Sequence, residues 1–285
     1  MTGTSLSARN NIMSIQSLRS IQVVVFAEGG SLRLRPITEH LPTCLVPVGG
    51  TPILDQELQS FLRVGLSNIT VVGGYRSIQV EQACRAYAGV TFRVNPRFSR
   101  GEPHRSSLLT AGLDPERGCL LVRGDIVFED ALLADVCRPE LTDAHVVGAS
   151  GRGVGIYRLC AVTLQCLLEA AGSVPAGAQS ELFPWIESMI SQAGSQPIQA
   201  DGRAWARVST MEDLARALKA CRDSRSARVA ETQDRLGGET PRPENLQLLE
   251  APEAKPDPET TIVDSSLPSL GMGTLSQALL RVLPR

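Results

Sequence analysis

Three things are scarce in this 285-residue chain: long apolar runs, lysine and net charge. No stretch reaches the roughly 20 apolar residues of a membrane-spanning helix, so no membrane is expected as partner. Residues 1–20 (MTGTSLSARNNIMSIQSLRS) lack the apolar centre of a secretory signal, so export is not supported and a cytoplasmic protein is expected. A formal charge of −2 gives no electrostatic reason to expect nucleic acid. Zinc is argued against in the same way. The seven cysteines (Cys44, Cys84, Cys119, Cys137, Cys160, Cys166 and Cys221) are scattered, form no C-x-x-C and are accompanied by only three histidines, so they read as reduced core thiols. The basic residues are almost all arginine. Lys219 and Lys255 are the only lysines, and Lys219 alone lies near the expected core.

What is present is enough to bury a full core, with 42% hydrophobic residues. From residue 21 to 222, β-rich runs alternate with helical patterns. IQVVVF (21–26), NITVVGGY (68–75), VTFRVN (90–95) and GCLLVRGDIVFED (118–130) read as strands. TPILDQELQSFLRVG (51–65), SIQVEQACRAYA (77–88) and SSLLTAGL (106–113) read as helices between them. Such alternation predicts crossover units, hence an α/β fold: a Rossmann-like α/β/α sandwich around a mostly parallel, mixed sheet. Ligands in that architecture sit at the carboxyl ends of strands, where the Gly-rich turn after Phe26 and the pair Gly124-Asp125 both fall. Further on, 145–159 reads as two strands around a Gly-rich turn, 161–172 and 181–194 as helices, and 197–209 as a strand pair. Residues 210–223 form a closing helix with Thr210 as N-cap and Asp213 completing a capping box.

The chain therefore divides into a flexible segment at 1–20, a folded domain at 21–222, and a tail at 223–285. The tail is rich in Pro, Glu and Arg and reads as a low-complexity linker. At its end GTLSQALLRVLPR puts Leu275, Ala278, Leu279, Val282 and Leu283 on one helical face. That face either docks on a protein partner through residues 264–285 or folds back on its own domain.

The turn itself reads FAEGGSLRLRPIT (26–38), followed by PTCLVPVGGTPIL (42–54) and by Gly74-Tyr75 with Gln79. It resembles the amino-terminal signature of nucleotidyltransferases that activate sugar phosphates and phosphocholine, CTP:phosphocholine cytidylyltransferases above all, in the pattern LAAGxGxRLxPLT then PKxLxPVxGxPxL. The match runs on through Asn95-Pro96, Ser107-Leu108, Gly124-Asp125, Val154-Gly155-Ile156-Tyr157 and Thr210-Met211-Glu212-Asp213-Leu214, about 200 residues in order. The turn does not fit the G-x-G-x-x-G of a Rossmann dehydrogenase.

The resemblance implies a reaction. A phosphate oxygen of one substrate attacks the α-phosphorus of a nucleoside triphosphate, CTP favoured, and pyrophosphate leaves. The acceptor is a phosphorylated or phosphonate small molecule. It also implies Mg2+ held by two aspartates, with an arginine and a lysine on the phosphates. On this chain Arg33 and Asp125 are the catalytic candidates. Ala27, Glu28, Gly29, Gly30, Arg33, Gln79 and Gly124 are the nucleotide-binding candidates. Asp125 is the metal ligand, with Glu28 as a second candidate. Two family positions are altered: the lysine is Thr43, and the second aspartate is Ser209. Ser31 also replaces a loop glycine. Arg35, Arg105, Arg123 or Arg152 could cover for the lost lysine. His104 and Arg105 have no expected role beyond acceptor contact, and Trp185, Trp205 and Tyr157 fill the core or the acceptor side of the cleft.

Glu28 poses the main difficulty, because a carboxylate about 4 Å from a phosphate charge costs about 4 kcal/mol at an effective dielectric near 20. It either turns to solvent or holds a metal. Three functions follow: a divergent transferase, a catalytically impaired nucleotide sensor or regulatory subunit, or an interaction scaffold for the tail.

Overall fold

The computed structural model describes residues 20–98, 104–173 and 181–221. All of them fall in the first of two units, which meet between Gly237 and Gly238. The expectations for residues 1–19 and 222–285, the tail helix and its partner included, lie outside the described residues.

Seven strands make the main sheet: β1 (Gln22–Ala27), β4 (Asn68–Gly73), β5 (Val90–Val94), β6 (Cys119–Arg123), β8 (Ala144–Val147), β9 (Gly153–Leu159) and β10 (Gln196–Gln199). Their order is β10-β8-β9-β6-β1-β4-β5. Strand β9 runs antiparallel to both neighbours, while every other pairing is parallel. This is the expected mostly parallel, mixed sheet. Two small pairs lie outside it: β2 (Pro47–Val48) with β3 (Thr51–Pro52), and β7 (Ile126–Phe128) with β11 (Trp205–Arg207).

The alternation of β1 fixes the layers. Val23, Val25 and Ala27 point into one apolar cluster, which also takes Leu54, Leu58 and Phe61 of α1 (Ile53–Val64), Val80 and Cys84 of α2 (Ser77–Cys84), and Leu132, Leu133 and Val136 of α4 (Asp130–Val136). Val24 and Phe26 point into the other, with Leu108 of α3 (Arg105–Thr110), Leu164 and Leu167 of α5 (Ala161–Gly172), and Phe183, Ile186 and Ile190 of α6 (Leu182–Gln192). Helices thus cover both faces, because a strand buried on both sides needs apolar residues at every position. The last described helix, residues 211–221, begins as expected. Asp213 N donates to Thr210 Oγ1 at 3.1 Å and Thr210 N to Asp213 Oδ2 at 2.9 Å. Among the described residues no helix is long and apolar enough to cross a membrane.

Strand β6 ends at Gly124-Asp125 as expected, and the rest of the run forms β7, outside the main sheet. Two expectations need correction. Residues 197–209 supply two strands, but they do not pair with each other. Strand β10 lies parallel to β8, and β11 pairs antiparallel with β7, with Arg207 opposite Ile126. Apolar patterning marked the strands without specifying partners, which are set by tertiary packing. The cysteines are all free, yet only four are buried; Cys166 is exposed, and Cys160 and Cys221 are half-buried.

Candidate functional site

The carboxyl ends of β1 and β6 open into a cleft of about 300 Å3, at the small end of the range for small-molecule sites. Its lining brings together Ala27, Gly29, Arg33, Gly124 and Asp125, with the altered positions Thr43 and Ser209 beside them. Gly124 is needed for close approach. Its N–H donates to Phe26 O at 3.0 Å, and a Cβ there would sit 3.0 Å from both Phe26 O and Ala27 Cα. Gly30 lies against Tyr75, whose ring occupies the space a Cβ would take, at 2.4 Å. Gln79 sits apart, its amide donating to His40 O at 3.1 Å.

The turn is cross-linked by its own unusual residues. Ser31 N donates to Thr43 Oγ1 at 3.0 Å, Ser31 Oγ donates to Ser209 O at 2.7 Å, and Thr43 N donates to Gly29 O at 3.1 Å. Ser31 and Thr43 therefore bond each other. They hold the turn together with neutral hydroxyls.

Glu28 takes neither expected course. It is buried, with 1% exposure, and its carboxyl turns away to accept from Ser107 Oγ while Ala27 and Gly29 line the cleft. Asn95 supports Ser107 from behind at 3.2 Å. Burial pushes the Glu28 carboxyl up to about 7, against the opposing hydrogen bonds of Ser107 and Asn95. The solvent-facing alternative is thereby overturned, because desolvating this side chain is what the fold does.

Asp125 is held by two arginines. Arg123 Nε reaches Oδ1 at 2.9 Å, Arg123 Nη2 reaches Oδ2 at 3.2 Å, and Arg207 Nε reaches Oδ2 at 3.0 Å. Burial pushes this carboxyl up, but Arg123 and Arg207 together hold it below the usual aspartate range. Arg123 is built into the fold: it is 7% exposed, and its guanidinium lies over the Phe183 ring at 4.4 Å. Its stem crosses Gly155, where φ is +102° and a Cβ would meet Arg123 Cδ at 2.1 Å. Gly155→Ala is therefore expected to cost about 2 kcal/mol through backbone strain and displacement of Arg123, or roughly 4–8 °C in Tm by thermal unfolding.

These residues do not fit the magnesium that the resemblance implies. Both oxygens of Asp125 are engaged by guanidiniums. Ser209 offers only a hydroxyl, which donates to Asp213 Oδ2 at 2.7 Å. Asp213 cannot substitute, since it caps the last helix and pairs with Arg216; Ser209, Arg216 and Thr210 outweigh its burial and draw its carboxyl down to about 2. Among the described residues no group of three or more His, Cys, Asp or Glu is arranged to hold a metal ion. Glu28 and Asp125 are committed to different partners and do not form a joint ligand set.

Of the four arginines considered as a replacement cation, Arg123 lines the cleft. Arg35 and Arg152 are exposed, and Arg105 stacks over Trp185 at 4.6 Å. Tyr157 is buried, its hydroxyl donating to Glu187, while Trp185 and Trp205 are partly buried at the edges of the core. Sequence reasoning missed Arg207. Its signal was the pairing of β11 with β7, which sets Arg207 opposite Ile126 and so beside Asp125.

Comparison with known proteins bears on the same segment. Residues 22–134 match the nucleotidyl transferase family model. Over this segment the chain is similar to that family. The chain is 34% identical over 125 residues to a UTP–glucose-1-phosphate uridylyltransferase of Haloferax volcanii, covering 43% of this chain and 50% of that protein. It is 28% identical over 109 residues to a 2-aminoethylphosphonate cytidylyltransferase of Lancefieldella rimae, covering 38% and 44%. The chain thus spans about half the length, or less, of the curated relatives it matches. In fold, the chain superposes on the CTP:phosphocholine cytidylyltransferase of Streptococcus pneumoniae with a TM-score of 0.57 at 17% identity, covering 70% of this chain and 98% of that one.

Proposed function

We propose that the cleft binds a nucleoside triphosphate, with CTP favoured, and serves nucleotidyl transfer to a phosphorylated or phosphonate small molecule. An acceptor oxygen would bond to the α-phosphorus, the bond from that phosphorus to the bridging oxygen would break, and pyrophosphate would leave with the electron pair. The observation that carries this reading is the convergence of Gly29, Arg33, Gly124, Asp125 and Arg123 on one cleft at the strand ends. Protein groups in such a reaction act by alignment and by fixed charge. The relatives named as acting on glucose 1-phosphate and 2-aminoethylphosphonate support an acceptor of this class.

A second reading has its own support. The turn's polar groups already satisfy one another, Ser31 N on Thr43 Oγ1 and Ser31 Oγ on Ser209 O. Loss of one oriented charge-stabilising group costs on the order of 100- to 1000-fold in rate, and two family positions are neutral here. The domain would then bind nucleotide without turning it over, as a sensor or regulatory subunit. A panel of CTP, UTP and GTP with phosphocholine, 2-aminoethylphosphonate and glucose 1-phosphate separates the two. Pyrophosphate release supports transfer, and nucleotide-dependent thermal stabilisation without release supports the sensor. No shift and no release with any nucleotide would remove both readings.

A further inference from the structure

We propose that the guanidiniums of Arg123 and Arg207, fixed on Asp125, take the place of a divalent cation in this cleft, so that a nucleoside triphosphate binds there without metal. The inference rests on the nucleotide reading above.

The first ground is the ligand set. A hard dication requires several oxygen ligands, and the Asp125 carboxylate at the end of β6 is already bonded three times by arginine, while Glu28 at the end of β1 is turned to Ser107. A cation on Asp125 would have to displace both guanidiniums, and breaking the two bonds of the buried Arg123 to this carboxylate is costly.

The second ground is that the arginine arrangement is constructed. Arg123 has Phe183 under its guanidinium, Gly155 making room for its stem, and Asp125 fixing two of its nitrogens. Arg207 arrives from a separate strand pair whose register sets it beside the same carboxylate. Strand pairing and ring stacking both orient charge before any ligand arrives, as an anion site requires.

The third ground is the sign of the charge. Two guanidiniums meet one carboxylate at Asp125, and arginine stays protonated at any physiological pH. Arg33 lines the same cleft, with Glu181 as a further carboxylate. Fixed guanidiniums attract an anion, whereas they repel a free dication. Planar guanidiniums also match phosphate oxygens in geometry.

Calorimetric titration of the full chain tests this with two probes. Mn2+ alone should give no saturable heat at millimolar concentration, and CTP should bind in EDTA with a Kd within about threefold of that in excess Mg2+. Arg207→Gln, checked for a native unfolding transition, should weaken CTP binding in EDTA by about tenfold, the value of one charge-assisted hydrogen bond. Saturable Mn2+ binding, or a loss of CTP affinity of about tenfold or more in EDTA, would overturn the proposal and leave the nucleotide reading standing. Unchanged affinity in Arg207→Gln would also overturn it. Absence of nucleotide binding in both buffers would instead remove the nucleotide reading itself, and this inference with it.

Discussion

Asp125→Ala is expected to destabilise the domain by about 3–5 kcal/mol, because it removes an opposite charge from a buried guanidinium. The side chains of Arg123 and Asp125 are 9% and 17% exposed, so solvent cannot restore what is lost. Arg207 is more exposed, at 35%, and its share is correspondingly screened. Urea unfolding should show the loss as a lower midpoint with little change in slope. The double variant Asp125→Ala/Arg123→Met should recover part of it, since an apolar side chain fits beside Phe183 without needing a partner. Acid should act in the same direction. With its pKa held below the usual value, Asp125 contributes stability that is present above pH about 4 and is lost as the pH falls through the lowered value. Equal stabilities for Asp125→Ala and the parent would mean that the arginine fork is not formed in solution.

Glu28→Gln should do the opposite. The Glu28 carboxyl is raised from 4.5 to about 7, so the folded protein holds more protons than the unfolded chain between those values. Stability therefore falls as the pH rises through that window. The full penalty is about 3 kcal/mol above pH 7. A glutamine carries no charge to desolvate and can still meet Ser107. Glu28→Gln is thus expected to match the parent near pH 4 and to exceed it by up to about 3 kcal/mol at pH 8. Glu57 is buried on α1 beneath the same region, its carboxyl raised by burial and then by the charge of Asp125. It is present in both proteins, so the comparison isolates Glu28. A gain of equal size at pH 4 and pH 8 would show that packing, not charge, is responsible.

Much of this was legible from residue pattern. The apolar runs at 22–27, 68–73 and 119–123 alternate with helical spacing, and the sheet follows that alternation; the Gly-rich turn and Gly124-Asp125 meet at the strand ends as such a fold requires. Less visible was where charges would go. The sequence position of Glu28 suggests a residue facing phosphate, but its side-chain direction depends on Ser107, 79 residues away. Arg207 carries no motif, and its role arises only once β11 pairs with β7. Thr43 and Ser209 read in isolation as two losses. In three dimensions Thr43 Oγ1 takes the N–H of Ser31, and Ser209 O takes its hydroxyl. The neutral side chains of Thr43 and Ser209 thus line the same cleft as Asp125, which Arg123 and Arg207 hold.

The most direct measurement is a crystal structure of the chain grown with CTP in EDTA. The phosphates should lie against the turn from Gly29 to Arg33, within hydrogen-bond distance of Arg123 or Arg207, with Asp125 still held by both arginines. Nucleotide bound elsewhere, or a phosphate chain reaching the turn only when a metal on Asp125 has displaced the guanidiniums, would contradict it.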